Sequence, residues 1–292
     1  MTKLGSRSHT IVVVADAAEP AALRYLAPYA GCSIAEWFAY RGHAALIVYD
    51  DLTRHAEAYR DISLLLRRPP TREAYPGDVF FAHARLMERA FKLAESKGGG
   101  SITALPIIET QRGNFSGFIP TNLISMTDGQ IYLDANLFAE GQLPAVEVGL
   151  SVSRVGGSAQ PGTMRDAAAS VRLELSQYAE VKAFTRFGTL LDEVTQRQLE
   201  RGERLTAVLR QRERRPLPLS FEIAELWGMK MGLLDDLAPL QIDDLGAALE
   251  ATAAPFPQIE QLAANAANVT PEFGTQLTRW LTDAKARLGP AS

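Results

Sequence analysis

Two short stretches of this sequence carry side chains that could do chemistry. The first, VGLSVSRVGGSAQPG (residues 148–162), places Arg154 between two serines and a glycine pair, with no other charged residue in the stretch. A guanidinium group in a glycine-rich loop can bind phosphate oxygens through two parallel hydrogen bonds. The same arginine could instead form an ion pair at a domain boundary. The residues around Arg154 therefore leave an anion-binding and a structural interpretation open.

The second stretch, LIVYDD (residues 46–51), reads as an apolar strand that ends in two aspartates. Nucleotide-binding folds use a buried strand in this way to position a carboxylate beside Mg²⁺. Asp50 would stand at the strand end and Asp51 just beyond it. Aspartate is also a preferred residue at helix N-termini, so one of the two could simply cap the next helix.

A magnesium–nucleotide site in such a fold also uses the phosphate-binding motif G-x-x-x-x-G-K-[ST]. The dipeptide Gly-Lys does not occur in the sequence. The one glycine run, residues 98–100, follows a predicted helix and precedes a predicted strand, which is the wrong order for this motif. We interpret that run as a turn.

A cluster of basic residues, RQRERR (residues 210–215), lies near the middle of the second half of the chain. Four arginines within six positions could form an anion-binding patch. The commoner alternative is a solvated helix end, where cations favour the negative end of the helix dipole.

The composition is that of a soluble globular protein, with 47% hydrophobic and 22% charged residues. A net charge of −4 offers no basic footprint and argues against nucleic acid as a partner. The single cysteine, Cys32, excludes an intramolecular disulfide, and with four scattered histidines it makes no zinc-binding spacing. No apolar run is long enough to span a bilayer, and the first residues lack a signal peptide. We therefore expect a cytoplasmic chain that reaches a membrane only through a partner.

Hydrophobic periodicity predicts alternating strands and helices through about the first 150 residues. The predicted strands are residues 9–17, 43–51, 101–110 and 128–134, the first two buried on both faces. The predicted helices are residues 18–42, 52–66 and 78–95, the last of them with Asp78 as its cap. Such alternation favours a mostly parallel sheet with helical crossovers.

From residue 165 onward the pattern is helical, with hardly any strand signal. The predicted helices are residues 165–184, 189–211, 221–234, 243–253 and 272–288. This change places a domain boundary near residue 160, so we expect an α/β domain over residues 1–160 and an α-helical domain over residues 161–292.

Several of these segments together resemble one known family. EAYPGDVF (residues 73–80), IPTNLISMTDGQI (119–131) and SVSRVGG (151–157) closely resemble the alpha subunit of F-type ATP synthases, and the match is nearly free of gaps from about residue 10 to about residue 218. The remaining tail looks more like the alternative, second-copy ATPases of some bacteria. The implied fold class is α/β, an incomplete parallel-sheet, P-loop-type nucleotide-binding domain that lacks the P-loop, followed by an α-helical C-terminal domain.

The resemblance also implies a role for the arginine in SVSRVGG. In the family this residue is an arginine finger that alpha inserts into the catalytic site of the adjacent beta subunit, and Arg154 matches it. Ser151, Ser153 and Val155 would hold the loop, and Ser151 matches a serine that the family needs for activity. Ser125 would lie at the same alpha–beta interface.

Further residues match the non-catalytic nucleotide site of the family, which holds Mg²⁺ and ATP or ADP. Asp50 matches the aspartate near the magnesium ion, Gln211 matches a glutamine near the adenine, and Glu109 belongs to the same nucleotide-binding set. The sequence departs from the family at positions where relatives usually carry glutamine, arginine and aspartate: Glu213, Leu143 and Leu190. Because the P-loop motif is not among these residues, we expect little nucleotide binding by this chain alone.

The implied function is that of a non-catalytic chain that completes the active site of beta and couples ATP synthesis or hydrolysis to proton or sodium transport. The implied partners are the beta subunit in an alternating hexamer, the gamma rotor and, indirectly, the membrane sector at the cytoplasmic face of the bacterial inner membrane. Two alternatives are a fragment or interaction module without a catalytic role and a free-standing ATPase, which the missing P-loop disfavours.

Overall fold

The computed structural model describes residues 5–110, 113–185, 192–254, 256 and 258–288. The chain forms two compact units, Met1–Asp128 and Gly129–Ser292, which we call the α/β unit and the helical unit. The domain boundary near residue 160 stays a prediction.

The α/β unit is built around a three-stranded sheet in the order β1-β3-β2. Its strands are β1 (Ala44–Tyr49), β2 (Phe91–Lys92) and β3 (Ser101–Pro106), and its helices are α1 (Ala21–Ala39), α2 (Leu52–Leu65), α3 (Val79–Met87) and α4 (Phe118–Met126). The central pair, β1 and β3, is parallel and in register from Ala44↔Ser101 to Tyr49↔Pro106. The predicted helices at 18–42 and 52–66 and the predicted strands at 43–51 and 101–110 are therefore confirmed, each with shorter ends.

Helix α1 packs on one face of this sheet through small residues that allow close approach. Ala35 and Ala39 bury against Ile102 of β3 and against the partly buried Ala45 and Ile47 of β1. The other face of β1 is exposed, with Leu46 at 64% and Val48 at 51% of full accessibility. The prediction that this strand is buried on both faces is therefore wrong, because among the described residues no helix covers that second face.

The predicted strand at 9–17 is also absent from the described structure. Residues 10–16 belong to no helix or strand, and Val12 and Val14 are 69% and 76% exposed. A strand exists only through hydrogen bonds to a neighbour, and no described strand pairs with this segment. An apolar pattern alone does not show whether a segment will have another strand to pair with.

Two further predicted elements are shorter than expected. The helix predicted at 78–95 ends at Met87, because Phe91 and Lys92 instead pair antiparallel with Ile102 and Ser101. Asp78 stands at the N-cap position of α3, but its side chain makes no capping hydrogen bond and binds Arg68 at 2.6 Å. The strand predicted at 128–134 is reduced to two residues, Gly129–Gln130.

The helical unit opens with a two-stranded antiparallel ribbon and continues as helices. The strands of the ribbon are β4 (Gly129–Gln130) and β5 (Val152–Ser153). The helices are α5 (Ala135–Ala139), α6 (Gly162–Ala167), α7 (Val171–Thr185), α8 (Glu193–Val208), α9 (Leu219–Lys230), α10 (Pro239–Thr252), α11 (Ile259–Asn265) and α12 (Pro271–Lys285). The helices predicted at 189–211, 221–234, 243–253 and 272–288 are confirmed with different ends, whereas the helix predicted at 165–184 is split into α6 and α7 by a turn at residues 168–170, and the short α5 and α11 were not predicted.

The core of the helical unit is continuous from α8 to α12. Trp280 of α12 is 1% exposed and donates its indole N–H to the carbonyl of Leu249 at 3.2 Å, beside the fully buried Ile223, Leu245 and Leu277. Pairing the indole N–H in this way lets a large aromatic side chain fill the core without an unsatisfied donor. In the part of the chain that the structure describes, no helix has both the length and the apolar character to cross a membrane.

Candidate functional site

The predicted acidic strand end lies at the carboxyl edge of the parallel pair β1 and β3. Tyr49 and Pro106, the last residues of these strands, are register partners, and the N–H of Ile107 donates to the carbonyl of Tyr49 at 2.9 Å. Asp50 directly follows β1, and Glu109 follows β3 by three residues. Because parallel strands end at the same edge of a sheet, the fold brings both of these predicted nucleotide-site residues to one edge.

Asp51 caps α2, as one of the two sequence interpretations proposed. It occupies the N-cap position, and its carboxylate accepts a hydrogen bond from the N–H of Arg54 at 2.7 Å. This bond satisfies one of the N–H groups that a helix start leaves without a partner. Asp51 is therefore engaged by local structure, whereas the neighbouring Asp50 is not.

Glu109 is tethered to the first turn of α2 at two points. Its carboxylate lies 3.1 Å from the guanidinium of Arg54, and its N–H donates to the Thr53 hydroxyl at 2.9 Å. Arg54 also pairs with Glu57 at 2.9 Å. The position of Glu109 is thus set by tertiary contacts that its place in the sequence does not reveal.

Asp50 is exposed and has no hydrogen bond or ion pair to another described residue. Mg²⁺ is commonly held by one or two carboxylates together with substrate phosphates and water, so Asp50 fits as a single magnesium ligand. Among the described residues, no three or more His, Cys, Asp and Glu side chains gather into a metal cage.

The loop that carries Arg154 is anchored on the β4–β5 ribbon. Gly129 pairs with Ser153, and Gln130 pairs with Val152. At Gly129 the backbone φ is 144°, and a Cβ atom would lie 2.1 Å from the carbonyl oxygen of Val152. Only glycine fits this close approach, because any side chain would collide with the opposite strand.

Two serines fix the loop on both sides of Arg154. The hydroxyl of Ser151 donates to the carbonyl of Glu147 at 2.7 Å and accepts from the N–H of Tyr132 at 3.0 Å. The hydroxyl of Ser153 accepts from the N–H of Gly156 at 2.8 Å. Both hydroxyls are therefore engaged in holding the backbone of the loop.

Arg154 itself is exposed and makes no hydrogen bond or ion pair within the described residues. The structural ion pair that the sequence left open is not formed in that part of the chain. Val155, the next residue, is 49% exposed. The loop thus presents a free guanidinium group beside an apolar side chain.

The remaining predicted site residues lie at separate places. Ser125 is exposed near the end of α4 in the α/β unit, where its hydroxyl donates to the carbonyl of Asn122 at 2.6 Å. Gln211 is exposed after α8 in the helical unit, and its N–H donates to the carbonyl of Leu143 at 2.7 Å. Glu213 pairs with Arg214 at 3.0 Å. Leu190 lies outside the described residues.

One acidic residue of the helical unit was missed by the sequence reasoning. Glu225 of α9 is only 5% exposed, and burial, assisted by the nearby charge of Glu222, raises the pKa of its carboxyl to about 8. The sequence did contain a sign of this burial. Glu225 stands in the middle of the apolar run IAELW (residues 223–227), where its neighbours favour a buried position.

A parallel strand pair with acidic residues at its carboxyl edge, in a mixed sheet with helices and followed by a helical unit, defines an α/β protein with a helical C-terminal part. Residues 1–153 match the ATP synthase alpha/beta family, nucleotide-binding domain, and residues 160–284 match the ATP synthase alpha/beta chain, C terminal domain. The chain belongs to the ATP synthase alpha/beta family.

Within this family the chain is similar to alpha subunits. ATP synthase subunit alpha of Petrotoga mobilis is 53% identical over 244 residues, which cover 84% of this chain and 48% of that relative. The chain therefore spans about half the length of the curated relative it matches. The resemblance found in the sequence is confirmed at this level.

Proposed function

We propose that the chain acts as an alpha-type subunit of an F-type ATP synthase and that Arg154 serves as an arginine finger in the catalytic site of a neighbouring beta-type subunit. The single observation that carries the proposal is the free, exposed guanidinium of Arg154 in a loop fixed by Ser151 and Ser153. A guanidinium that is unpaired on a backbone already held in place keeps its donors available for an oxyanion.

The chemistry of such a finger is electrostatic. As a phosphoryl group transfers, negative charge spreads over its oxygens, and a guanidinium can donate two parallel hydrogen bonds to them. A loop that is already fixed loses little entropy when the finger meets its target, so more of the interaction stabilises the transition state. Fingers of this kind contribute about 10³–10⁵-fold to rate.

We further propose that Asp50 and Glu109 belong to a second, non-catalytic nucleotide site; the match of Gln211 to a glutamine near the adenine stays a prediction from the resemblance. Mg²⁺ would be held by Asp50 together with nucleotide phosphates and would neutralise phosphate charge there. Glu109 would act from the same sheet edge, in the position set by Arg54. Because the phosphate-cradling motif is not among the residues of this chain, we expect Mg–ATP to bind the isolated chain weakly.

In the assembled state the chain would alternate with beta-type subunits, contact a gamma-type rotor and serve ATP synthesis or hydrolysis coupled to proton or sodium transport. Its association with the membrane would then be peripheral and mediated by the other subunits. These roles rest on the similarity to alpha subunits.

The test is to assemble the chain with its beta and gamma partners and to measure ATP turnover after Arg154→Ala. We expect turnover to fall by about 10³-fold or more while the complex still forms, and Arg154→Lys to restore only part of it, because an ammonium lacks the planar fork. Arg197→Ala is the matched control, since Arg197 is an exposed arginine paired only with Glu193 of its own helix. Unchanged turnover in Arg154→Ala would refute the finger.

A second candidate function is that of an interaction module without a catalytic role. The exposed apolar side chains of Leu46 and Val48 on β1 favour a surface that packs against another protein. If this candidate is right, the chain joins the complex but Arg154→Ala leaves ATP turnover unchanged. The same assembled complex therefore separates the two functions.

A further inference from the structure

The turn that leads into the loop of Arg154, residues 147–151, is built around the side chain and backbone of Glu147. The carbonyl of Glu147 accepts two hydrogen bonds from Ser151, one from its N–H at 3.0 Å and one from its hydroxyl at 2.7 Å. The N–H of Glu147 donates to the carbonyl of Tyr132 at 2.9 Å. Its carboxylate accepts from the N–H of Gly149 at 2.8 Å. Glu147 therefore binds the far end of the turn, its middle and the strand-like segment beside it.

The bond to the middle of the turn depends on the absence of a side chain at Gly149. A Cβ atom added there would lie 3.0 Å from Oε1 of Glu147, which is closer than an ordinary contact. The carboxylate can therefore approach the N–H of Gly149 because that residue is glycine. A carboxylate that accepts from a backbone N–H forms a charge-assisted hydrogen bond, which is stronger than a neutral one. The turn is thus closed by a side chain as well as by its own backbone.

Two further side chains bind the next two carbonyls of the turn. Arg172, in the first turn of α7, donates to the carbonyl of Gly149 at 3.3 Å. Gln130 of β4 donates through its side-chain amide to the carbonyl of Leu150 at 3.1 Å. Arg172 is exposed, and among the described residues it forms no ion pair. Its guanidinium is therefore directed to the turn, which connects the turn to the helices of the same unit.

The position of this turn sets the position of Arg154. The turn ends at Ser151, and the two residues that follow, Val152 and Ser153, form β5 and pair with β4. A strand is stiff and rises about 3.3 Å per residue, so a displaced turn carries the start of the loop with it. Arg154 has no contact of its own to another described residue. Its place on this side is therefore determined by the backbone that leads to it.

We propose that Glu147 and Arg172 are positioning residues for the arginine finger. Neither would touch the nucleotide; both hold the 147–151 turn so that the guanidinium of Arg154 meets the phosphate oxygens in the productive geometry. This inference rests on the proposed function of Arg154. A misplacement of about 1 Å can cost on the order of 10²-fold in rate. Because a finger binds the transition state more strongly than the bound substrate, its misplacement lowers kcat and leaves KM nearly unchanged.

The experiment measures kcat and KM for ATP in the chain assembled with its beta and gamma partners. Glu147→Leu removes the acceptor for Gly149, and we expect kcat to fall by at least about tenfold while KM stays within about twofold. Glu147→Gln retains a side-chain oxygen that can accept from the same N–H and should bring kcat back to within about threefold of the parent. Glu260→Leu, at an exposed glutamate of α11, is the matched control and should behave as the parent does.

Arg172→Ala tests the same turn with a variant that does not endanger folding. Arg172 is exposed, and its removal leaves all the hydrogen bonds of Glu147 in place. We expect kcat to fall by about three- to tenfold with KM unchanged, since one hydrogen bond to the turn is lost. Arg197→Ala is again the control for the loss of an exposed arginine. This variant decides the proposal if Glu147→Leu fails to assemble.

A double variant shows whether the turn acts through the finger. In the Arg154→Ala background, Glu147→Leu should lower kcat no further, because no guanidinium remains to be positioned. Single-turnover measurements with radiolabelled ATP follow the slow reaction of these complexes. A further loss by the same factor as in the parent would mean that Glu147 supports the structure in general, and it would overturn the proposal.

Two other results separate this inference from the function on which it rests. If Arg154→Ala abolishes turnover while Glu147→Leu or Arg172→Ala keeps the kcat of the parent, that residue has no positioning role and the finger stands. If Arg154→Ala itself leaves turnover unchanged, the finger is refuted and the positioning roles are refuted with it. A rise in KM at unchanged kcat would also overturn the proposal, because it would indicate a contribution to substrate binding.

Discussion

The imidazole rings of His55 and His83 lie against each other inside the α/β unit, with their centroids 5.3 Å apart. Both side chains are buried, at 2% and 0% exposure, and Tyr25 stacks on His55 at 4.9 Å. Burial lowers the pKa of His55 from 6.5 to about 3, with a contribution from His83, whose own pKa falls to about 4. The folded protein therefore holds both rings neutral, while the unfolded chain protonates them near pH 6.5.

Because of this pair, we expect acid to destabilise the folded protein. The unfolded state binds more protons than the folded state between about pH 6.5 and pH 4, so the free energy of unfolding falls as the pH is lowered through that window. Each ring should account for roughly 1–2 kcal/mol between pH 7 and pH 5. Urea unfolding at pH 7, 6 and 5 measures the effect. In His55→Phe the free energy of unfolding should fall less between pH 7 and pH 5 than in the parent. His43→Gln, at an exposed histidine, should show the same fall as the parent. An equal pH dependence in His55→Phe and the parent would contradict the prediction.

Glu225 predicts the opposite pH dependence in the helical unit. Its folded pKa of about 8 lies above the ordinary value of 4.5, so the folded state binds more protons between these limits. Stability is then highest at low pH and is lost as the pH rises through about 8. Glu225→Gln should gain stability over the parent on the order of 2 kcal/mol at pH 9 and much less at pH 5. A difference that does not change with pH would rule out a buried, titrating carboxyl.

Gly129 predicts a steric requirement in the ribbon that carries Arg154. A Cβ atom at this position would lie 2.1 Å from the carbonyl oxygen of Val152 and 2.8 Å from Cα of Ser153. Gly129→Ala should therefore push β4 from β5 and cost about 2 kcal/mol or more in unfolding free energy.

Gly141→Ala is the matched control for this substitution. Gly141 also has a positive φ, of 82°, but nothing lies within 4 Å of its added Cβ. It should show only the backbone cost of about 1 kcal/mol. Equal losses in the two variants would mean that the close approach to β5 is unimportant.

Arg89 predicts a stabilising ion pair between the segment after α3 and helix α1. Its guanidinium donates to both carboxylate oxygens of Glu36, at 2.6 and 2.7 Å, and to the Ser33 hydroxyl at 2.8 Å. Both charged side chains are about a quarter exposed, at 25% and 23%, so solvent screens part of the interaction. Arg89→Ala should cost about 1–2 kcal/mol in urea unfolding.

Two comparisons sharpen this measurement. Arg89→Lys should lose about half as much as Arg89→Ala, because an ammonium cannot bind both oxygens in one plane. Arg197→Ala, at an exposed pair within one helix, should cost less than about 0.5 kcal/mol. Equal costs for the alanine variants at positions 89 and 197 would show that the contact with α1 contributes nothing.

Much of the local structure was predictable from the sequence. Apolar spacing over neighbouring residues predicts helices α1, α2 and α8 and strands β1 and β3. This works because side chains repeat every 3.6 residues along a helix and every two residues along a strand. The position of Asp50 after β1 could be predicted for the same reason. A capping role for one of the two aspartates, which the structure assigns to Asp51, is likewise a property of adjacent residues.

Other features depended on which segments meet. The apolar run at 10–16 has the composition of a strand but no described partner, and the helix predicted at 78–95 gave way to a strand pair with β3. The burial of Glu225 and the pairing of the arginines at 210, 212 and 215 with α10 are likewise contacts between distant segments.

By itself, therefore, the sequence determined the periodic elements, the loop around Arg154 and the resemblance to ATP synthase alpha subunits. Only the tertiary structure decided that Arg154 is left without a partner in the described part of the chain, that His55 meets His83, and that Glu225 is buried. The physical reason is that periodicity and capping act over a few neighbouring residues, whereas burial and pairing are set by residues far apart in the chain.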